Sequence, residues 1–206
     1  CFTASFLTLF LIPNSRYLGR QSRTNRWAFD PNFPDYTQPL LRKGFGVSGI
    51  DRGHQIPSAD RTRNAAENAT TFYYTNMTAQ TSSLNQGVWA KLENQIRSWT
   101  TASGVDTMYV VTGAGLSFAN GSIDYVQDNQ GNRVAKPKYY YKALAVKRGT
   151  AYYTIGFYME NKVTPTKANF SSYRMTVSEL ERKTGYQFFP GIPRETKNKI
   201  NDAIWR

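Results

Sequence analysis

The chain has 206 residues, of which 40% are hydrophobic and 15% aromatic, enough to bury a sizeable core and to exclude disorder over most of its length. Lys and Arg total 26 against 14 Asp and Glu, a formal charge of +12 with a pI near 9.8, which favours an anionic partner. With one cysteine, Cys1, and one histidine, His54, an intramolecular disulfide, a cysteine-rich zinc site and any site needing two histidines of one chain are excluded.

No apolar run reaches the roughly 18 residues that a membrane span needs. The apolar stretch Ala4–Ile12 reads as a buried strand in preference to a signal-peptide remnant. Lipid anchoring at Cys1 is the lesser reading, because an apolar strand follows where such proteins carry a polar tether. Arg16, Arg20, Arg23 and Arg26 precede the first acid, Asp30, and Pro31, Pro34 and Pro39 mark an irregular stretch to about Gly49. Thr70–Asn76 is rich in aromatic and β-branched residues and predicts a strand. Val88, Leu92, Ile96 and Trp99 share one apolar face and predict a helix over Ser82–Trp99, capped by Ser82 or Ser83. Asp106–Thr112 predicts a strand closed by a Gly113-Ala114-Gly115 turn, and Tyr139–Val146 with Ala151–Tyr158 a hairpin. Thr176 and Glu179 form a capping box for a helix ending near Gly185, and Glu195–Trp205 predicts a last helix. Strands and helices without a strict βαβ rhythm point to an α+β fold.

His54 lies in Asp51-Arg52-Gly53-His54-Gln55-Ile56-Pro57. Gly53 permits close approach of the backbone, Arg52 offers a planar cation suited to phosphate, and an imidazole is a general base near neutral pH. Asn85, Trp89, Glu93 and Arg97 recur every fourth residue, so on a helix Asn85, Glu93 and Arg97 share a slowly drifting stripe. Such a stripe suits a hydrated hard cation beside a phosphate. The alternative, a solvated face with a Glu93–Arg97 pair, is favoured by spacing alone. Asn76 closes the predicted strand, where a turn role is the plain reading. Between Asn129 and Met159, Arg133, Lys136, Lys138, Lys142, Lys147 and Arg148 occur without an acid, interleaved with Tyr139, Tyr140, Tyr141, Tyr152 and Tyr153. That is either a nucleic-acid surface or a hairpin with an aromatic face inside and a basic face in water.

Three stretches together carry a resemblance. Asp51-Arg52-Gly53-His54 is similar to a D-R-G-H signature, Thr71–Met77 with Gln80 to T-F-x-x-T-N-M-x-x-Q, and Asn85–Arg97 to N-x-x-x-W-x-x-L-E-x-x-x-R. The chain thus resembles the DNA/RNA non-specific endonucleases, the sugar-nonspecific ββα-metal nucleases, over nearly its whole length. The resemblance implies one nuclease domain over 1–206, with a central, mostly antiparallel sheet flanked by helices and a ββα-metal unit at about 50–99. It implies His54 as the general base that activates water, Asn85 as the protein ligand of Mg²⁺ or another divalent cation such as Mn²⁺, and Glu93 as holder of one of the cation's waters. Arg52, Arg97 and Arg23 would contact phosphates, and Asn76 would support the site around the histidine. Arg23, Trp27 and Asp30 fit the R-x-x-x-aromatic-x-x-D spacing of an upstream arginine, with Arg26 nearby as a substitute. Single- and double-stranded DNA and RNA would be the substrates, 5′-phosphates the products, and a secreted or periplasmic protein the setting. Thr78-Ala79 departs from the pattern, and Ala114–Arg133 matches none of it. The alternative from another class is a catalytically inactive basic nucleic-acid-binding module on the same scaffold.

Overall fold

The structure, a computed structural model, describes residues 6–13, 17–118 and 121–206. Cys1 with its lipid-anchor reading, the Ala4–Ser5 start of the first predicted strand, and Arg16 lie outside the described residues. In chain order the elements are β1 (Phe6–Pro13), β2 (Ile50–His54), α1 (Ala65–Thr70), β3 (Met77–Thr81), α2 (Ala90–Thr100), β4 (Thr107–Gly115), β5 (Asp124–Gln127), β6 (Arg133–Lys136), β7 (Tyr139–Arg148), β8 (Ala151–Glu160), β9 (Arg174–Met175), α3 (Val177–Thr184) and α4 (Arg194–Lys197). This is the expected α+β class. A five-stranded sheet in the order β1-β4-β7-β8-β9 is antiparallel throughout, and β2–β3 and β5–β6 form separate hairpin-like pairs.

Side chains alternate across a strand, and on central β7 both sets are covered. Tyr140, Leu144 and Val146 pack with Leu84, Val88, Trp89, Leu92, Ile96 and Trp99 from the α2 side. Tyr139, Tyr141 and Ala143 pack with Val177, Leu180 and Phe188 from the α3 side. Lys142 shares the Tyr140 and Leu144 face, so it is 1% exposed. Of the two readings of this stretch, a basic face in water fails for Lys142, because helices cover both sides of the central strand; only Lys147 and Arg148 at the end of β7 are half-buried. Tyr139, Tyr140 and Tyr141 are core, while Arg133 stacks 3.8 Å over Tyr125 and Lys138 pairs with Asp124 at 2.6 Å.

Other expectations also shift. β4 runs on through Gly113 and Gly115, which do not turn but make room for Tyr141 and Tyr139 opposite them; an added Cβ would lie about 2 Å from either ring. Thr70–Asn76 is not a strand. The Thr71 hydroxyl donates to the Asn68 carbonyl and Asn76 bonds back to Thr71, so the chain turns and its strand begins at Met77. The helix expected over Ser82–Trp99 breaks at Gly87 (φ −99°, ψ −113°), leaving a wide turn over Leu84–Trp89 before α2. The Thr176 capping box forms and Gly185 ends α3 in the left-handed region. The last helix is one short turn, α4, because Lys197 is drawn inward to Glu181 and the Phe188 carbonyl and Asn201 starts a separate turn.

Asn161, just beyond β8, joins the β2–β3 pair to the large sheet. Its Oδ1 accepts from the Thr81 amide at 2.8 Å, and its Nδ2 donates to the carbonyls of Ala79 and Pro137 at 2.9 and 2.7 Å. The Tyr140 hydroxyl adds a 2.9 Å bond to Thr78.

Candidate active site

The β2–β3 register places His54 opposite Met77 at the end of β2. Its ring sits edge-on between Trp27 and Phe72, with centroids 5.6 and 5.2 Å away. The imidazole bonds to the Arg52 carbonyl, and Nε2, buried, has no partner among the described residues. The bonded nitrogen is therefore Nδ1, which fixes the tautomer with Nε2 as a lone-pair acceptor. Burial, then the cations of Arg23 and Arg52, push the imidazole from 6.5 down to about 3. The histidine is thus a neutral base at pH 7. Between pH 6.5 and 3 the unfolded chain binds this proton and the folded chain does not, so the contribution of His54 to stability is complete above 6.5 and is lost as pH falls toward 3. Because the chain has one histidine, a single imidazole resonance pair reads this out by NMR. It is expected to hold its neutral shift from pH 8 to 5; a titration centred near 6.5 would refute the burial effect.

Gly53 precedes the histidine for a steric reason. A Cβ there would stand 2.6 Å from the Cβ of Gln80, itself wholly buried with neither amide atom partnered. Gly53→Ala is expected to cost about 1–3 kcal/mol through overpacking, measured by urea unfolding; an unchanged midpoint would refute the contact.

A cleft of about 330 Å³ is lined by Arg23, Trp27, Lys43, Asp51, Arg52, Asn85 and Gln86 among others; His54, Glu93, Arg97 and Asn76 do not line it, and His54 adjoins it through its ring contact with Trp27. Asp51 organises one wall. It accepts from Ser82 at 2.7 Å, from Asn85 Nδ2 at 2.9 Å and from Gln86 at 2.8 Å. A carboxylate only accepts, so the Asn85 nitrogen must face it and the amide oxygen must face away. The spacing of the sequence placed Asn85 on a stripe with Glu93 and Arg97; the break at Gly87 instead makes it a turn residue held by Asp51.

Arg52 lies 3.5 Å over Trp27 and donates to the carbonyls of Leu41 and Arg42. Arg23 lies 4.6 Å over Phe72 and donates to Ser58 and Asn25. Of the two upstream candidates only Arg23 lines the cleft; Arg26 does not. Asn76 has no spare polar end: it exchanges bonds with the backbone of Ile56 and donates to Thr71, clamping the turn that follows His54.

Glu93 and Arg97 stand on α2. Burial pushes the Glu93 carboxyl from 4.5 up to about 7, against the pull of Lys142. Arg97 pairs with buried Asp60 at 2.7 Å and also bonds Asn94, so its fork is largely engaged. Burial raises the Asp60 carboxyl, with Arg97, Lys142 and Arg61 opposing. Asp51, Asp60, Gln80 and Lys142 carry much of this arrangement and were not singled out in the sequence as site residues. Asp51, next to Arg52, had a signal there; Lys142, in a run of surface-like lysines, had none.

No cluster of three His, Cys, Asp or Glu suited to a metal occurs among the described residues. The donor set still suits a hard cation that keeps most of its waters, which needs only one or two protein oxygens. The Asn85 oxygen, turned away from Asp51, would be one, and the Glu93 carboxylate could hold the waters.

Residues 10–195 match the DNA/RNA non-specific endonuclease family. The chain belongs to that family. It is 30% identical over 181 residues to a nuclease of Serratia marcescens, covering 86% of this chain and 66% of that one. A nuclease of Nostoc sp. is 29% identical, covering 93% and 69%, and human mitochondrial nuclease EXOG 26% identical, covering 89% and 51%. The chain therefore spans about two thirds of the length of these bacterial relatives and half of the human one. A chain in the crystal structure of the EndoG/EndoGI complex shares the fold, with a TM-score of 0.71 at 20% identity over 92% of this chain and 80% of that one. The family match encloses every element from β2 to α3, and with them both strands of the β2–β3 pair and α2.

Proposed function

We propose that residues 1–206 act as one divalent-cation-dependent endonuclease domain, hydrolysing phosphodiesters of DNA and RNA without sequence preference. The observation that carries this reading is the unpartnered, neutral Nε2 of His54, whose ring packs on Trp27 at the wall of a cleft lined by two arginines and by Asn85. His54 Nε2 takes the proton of a water that attacks phosphorus, and the Arg52 carbonyl stabilises the imidazolium through Nδ1. Arg52 and Arg23 bring positive charge to the phosphate, while Arg97, tied to Asp60, contributes charge more than an open fork. Glu93, on α2 and outside the lining of the cleft, would hold one of the cation's waters, and Asn76 keeps the His54 turn in place. A Mg²⁺ or Mn²⁺ ion on the Asn85 oxygen would neutralise charge on the phosphate and on the departing oxygen. Contacts confined to phosphate carry little sequence information, which fits a non-specific enzyme. A secreted or periplasmic setting belongs to the same proposal; the mitochondrial name of one relative shows that the family does not fix the compartment. No helix among the described residues is long and apolar enough to cross a membrane.

Incubation of supercoiled plasmid and of ribosomal RNA with Mg²⁺, with and without excess EDTA, tests the reading. Both substrates should be cut only with the metal and leave 5′-phosphate ends. Cutting in EDTA or at one sequence would overturn it, and binding without cutting would indicate the inactive module. Binding should also weaken with salt, by a slope of about −0.9 per phosphate contact on duplex DNA. Arg133→Gln with Lys136→Gln should flatten that slope if the β5–β6 surface meets the substrate; an unchanged slope excludes that surface.

A further inference from the structure

We infer that Lys142, a residue of the sheet, is a positioning residue for the reaction, acting on Glu93 from beneath the site. The inference rests on the proposed reading that Glu93 serves the cleft. Lys142 is 1% exposed, in the centre of β7 among Tyr140, Leu144 and the α2 face. Its Nζ donates to Thr112 on β4 at 2.7 Å and lies 4.7 Å over the Trp89 ring. Trp89 and Glu93 are one helical turn apart, so the ammonium sits under the part of the helix that carries the carboxylate. The charged groups facing it come from two other elements: Glu93 and Arg97 on α2, and Asp60 in the turn after β2.

The distribution of contacts assigns Lys142 to Glu93. Asp60 has Arg97 at 2.7 Å. Glu93 closes no ion pair of its own among the described residues, and Lys142 is the opposite charge that acts on it most. A methionine would fill the same volume without the cost of desolvating an ammonium, so packing alone does not explain the lysine. A counter-charge held back by Thr112 and the indole steadies the carboxylate without occupying it. Both Glu93 oxygens then stay uncommitted to any ion pair among the described residues and can hold water, as proposed.

A double-mutant cycle on the full chain tests this, with Lys142→Met, Glu93→Gln and the double variant. Lys142→Met should lower kcat by about 10-fold or more, as removal of a group that orients a site residue does, with KM for plasmid DNA little changed. In the Glu93→Gln background the same change should cost less than about 2-fold, because its target is gone. Melting of the metal-free proteins in EDTA should show the same coupling, the double variant melting above Lys142→Met alone. Additive losses in kcat, or a lowered Tm with kcat per folded molecule intact, would overturn the inference. Should Lys142→Met not fold, a double variant that folds supports it and one that does not overturns it. If the wild-type protein leaves DNA and RNA intact, the nuclease reading falls, and the melting cycle separately decides whether the two charges are coupled.

Discussion

His54→Ala is expected to lower kcat by about 10²–10⁴, the range for a lost general base, while affinity for DNA in EDTA stays within about 2-fold. The large effect follows from inventory as much as geometry. The chain has no second imidazole, and the one carboxylate lining the cleft, Asp51, is taken up by hydrogen bonds from Ser82, Asn85 and Gln86. The Nε2 atom is buried, unpartnered and neutral, so the substitution takes away a base together with the one bond from Nδ1 to the Arg52 carbonyl. The ring does fill space between Trp27 and Phe72, so a modest fall in Tm is expected as well. Single-turnover cleavage and a melting curve on the same preparation separate the two effects. Loss of activity that merely tracks loss of folded protein would return His54 to a structural role.

Asn85 and Asp51 should fail alike, although the proposed reading gives the contact with the cation to Asn85. Asn85→Ala removes the outward amide oxygen, so the rate should fall and the Mg²⁺ needed for half-maximal rate should rise. Asp51→Ala leaves that oxygen but frees the amide to rotate, since its 2.9 Å bond to Nδ2 is what turns the oxygen outward. It should also raise the Mg²⁺ requirement, by about 10- to 100-fold as for other groups that orient a metal ligand. Asn85→Asp keeps an oxygen and adds charge, so metal binding should persist while the rate drops. Glu93→Gln should slow the reaction with a smaller change in Mg²⁺ requirement. A Mg²⁺ titration of cleavage rate for the four variants beside wild type checks the order. A larger Mg²⁺ effect for Glu93→Gln than for Asn85→Ala would reverse the two roles, and an Asp51→Ala protein with unchanged requirement would show that the amide is oriented otherwise.

The parts of the fold that could be read in the sequence were those governed by local chemistry. The Thr176–Glu179 capping box is local, and it forms as expected. Runs of aromatic and apolar residues marked β4, β7 and β8, and the His54 motif needed only neighbours in sequence. What could not be read depended on distant partners. Phe72, Tyr73 and Tyr74 have strand-forming side chains, but hydrogen bonds of Thr71 and Asn76 turn the backbone there. Fourfold spacing put Asn85 on the helix, and only the break at Gly87 shows that its orientation comes from Asp51, 34 residues earlier. Lys142 looks like its lysine neighbours until β7 is seen to be covered on both faces. Its counter-charges lie 49 and 82 residues away in the chain, on α2 and in the turn after β2.

The joint made by Asn161 bears on how the molecule opens. A two-stranded pair alone is marginal in water and would fray independently of the larger sheet. Here the outer edge of β3 is closed by a single side chain that spans Thr81, Ala79 and Pro137, and Tyr140 reaches Thr78 from within the sheet. Peeling the histidine-bearing β2–β3 pair away therefore means breaking into β7 as well. The amide protons of β2 and β3 and those of β7 should exchange with solvent through one common opening, at a free energy close to that of global unfolding. The strand pair that carries His54 thereby acquires the rigidity of a central strand while lying outside the sheet.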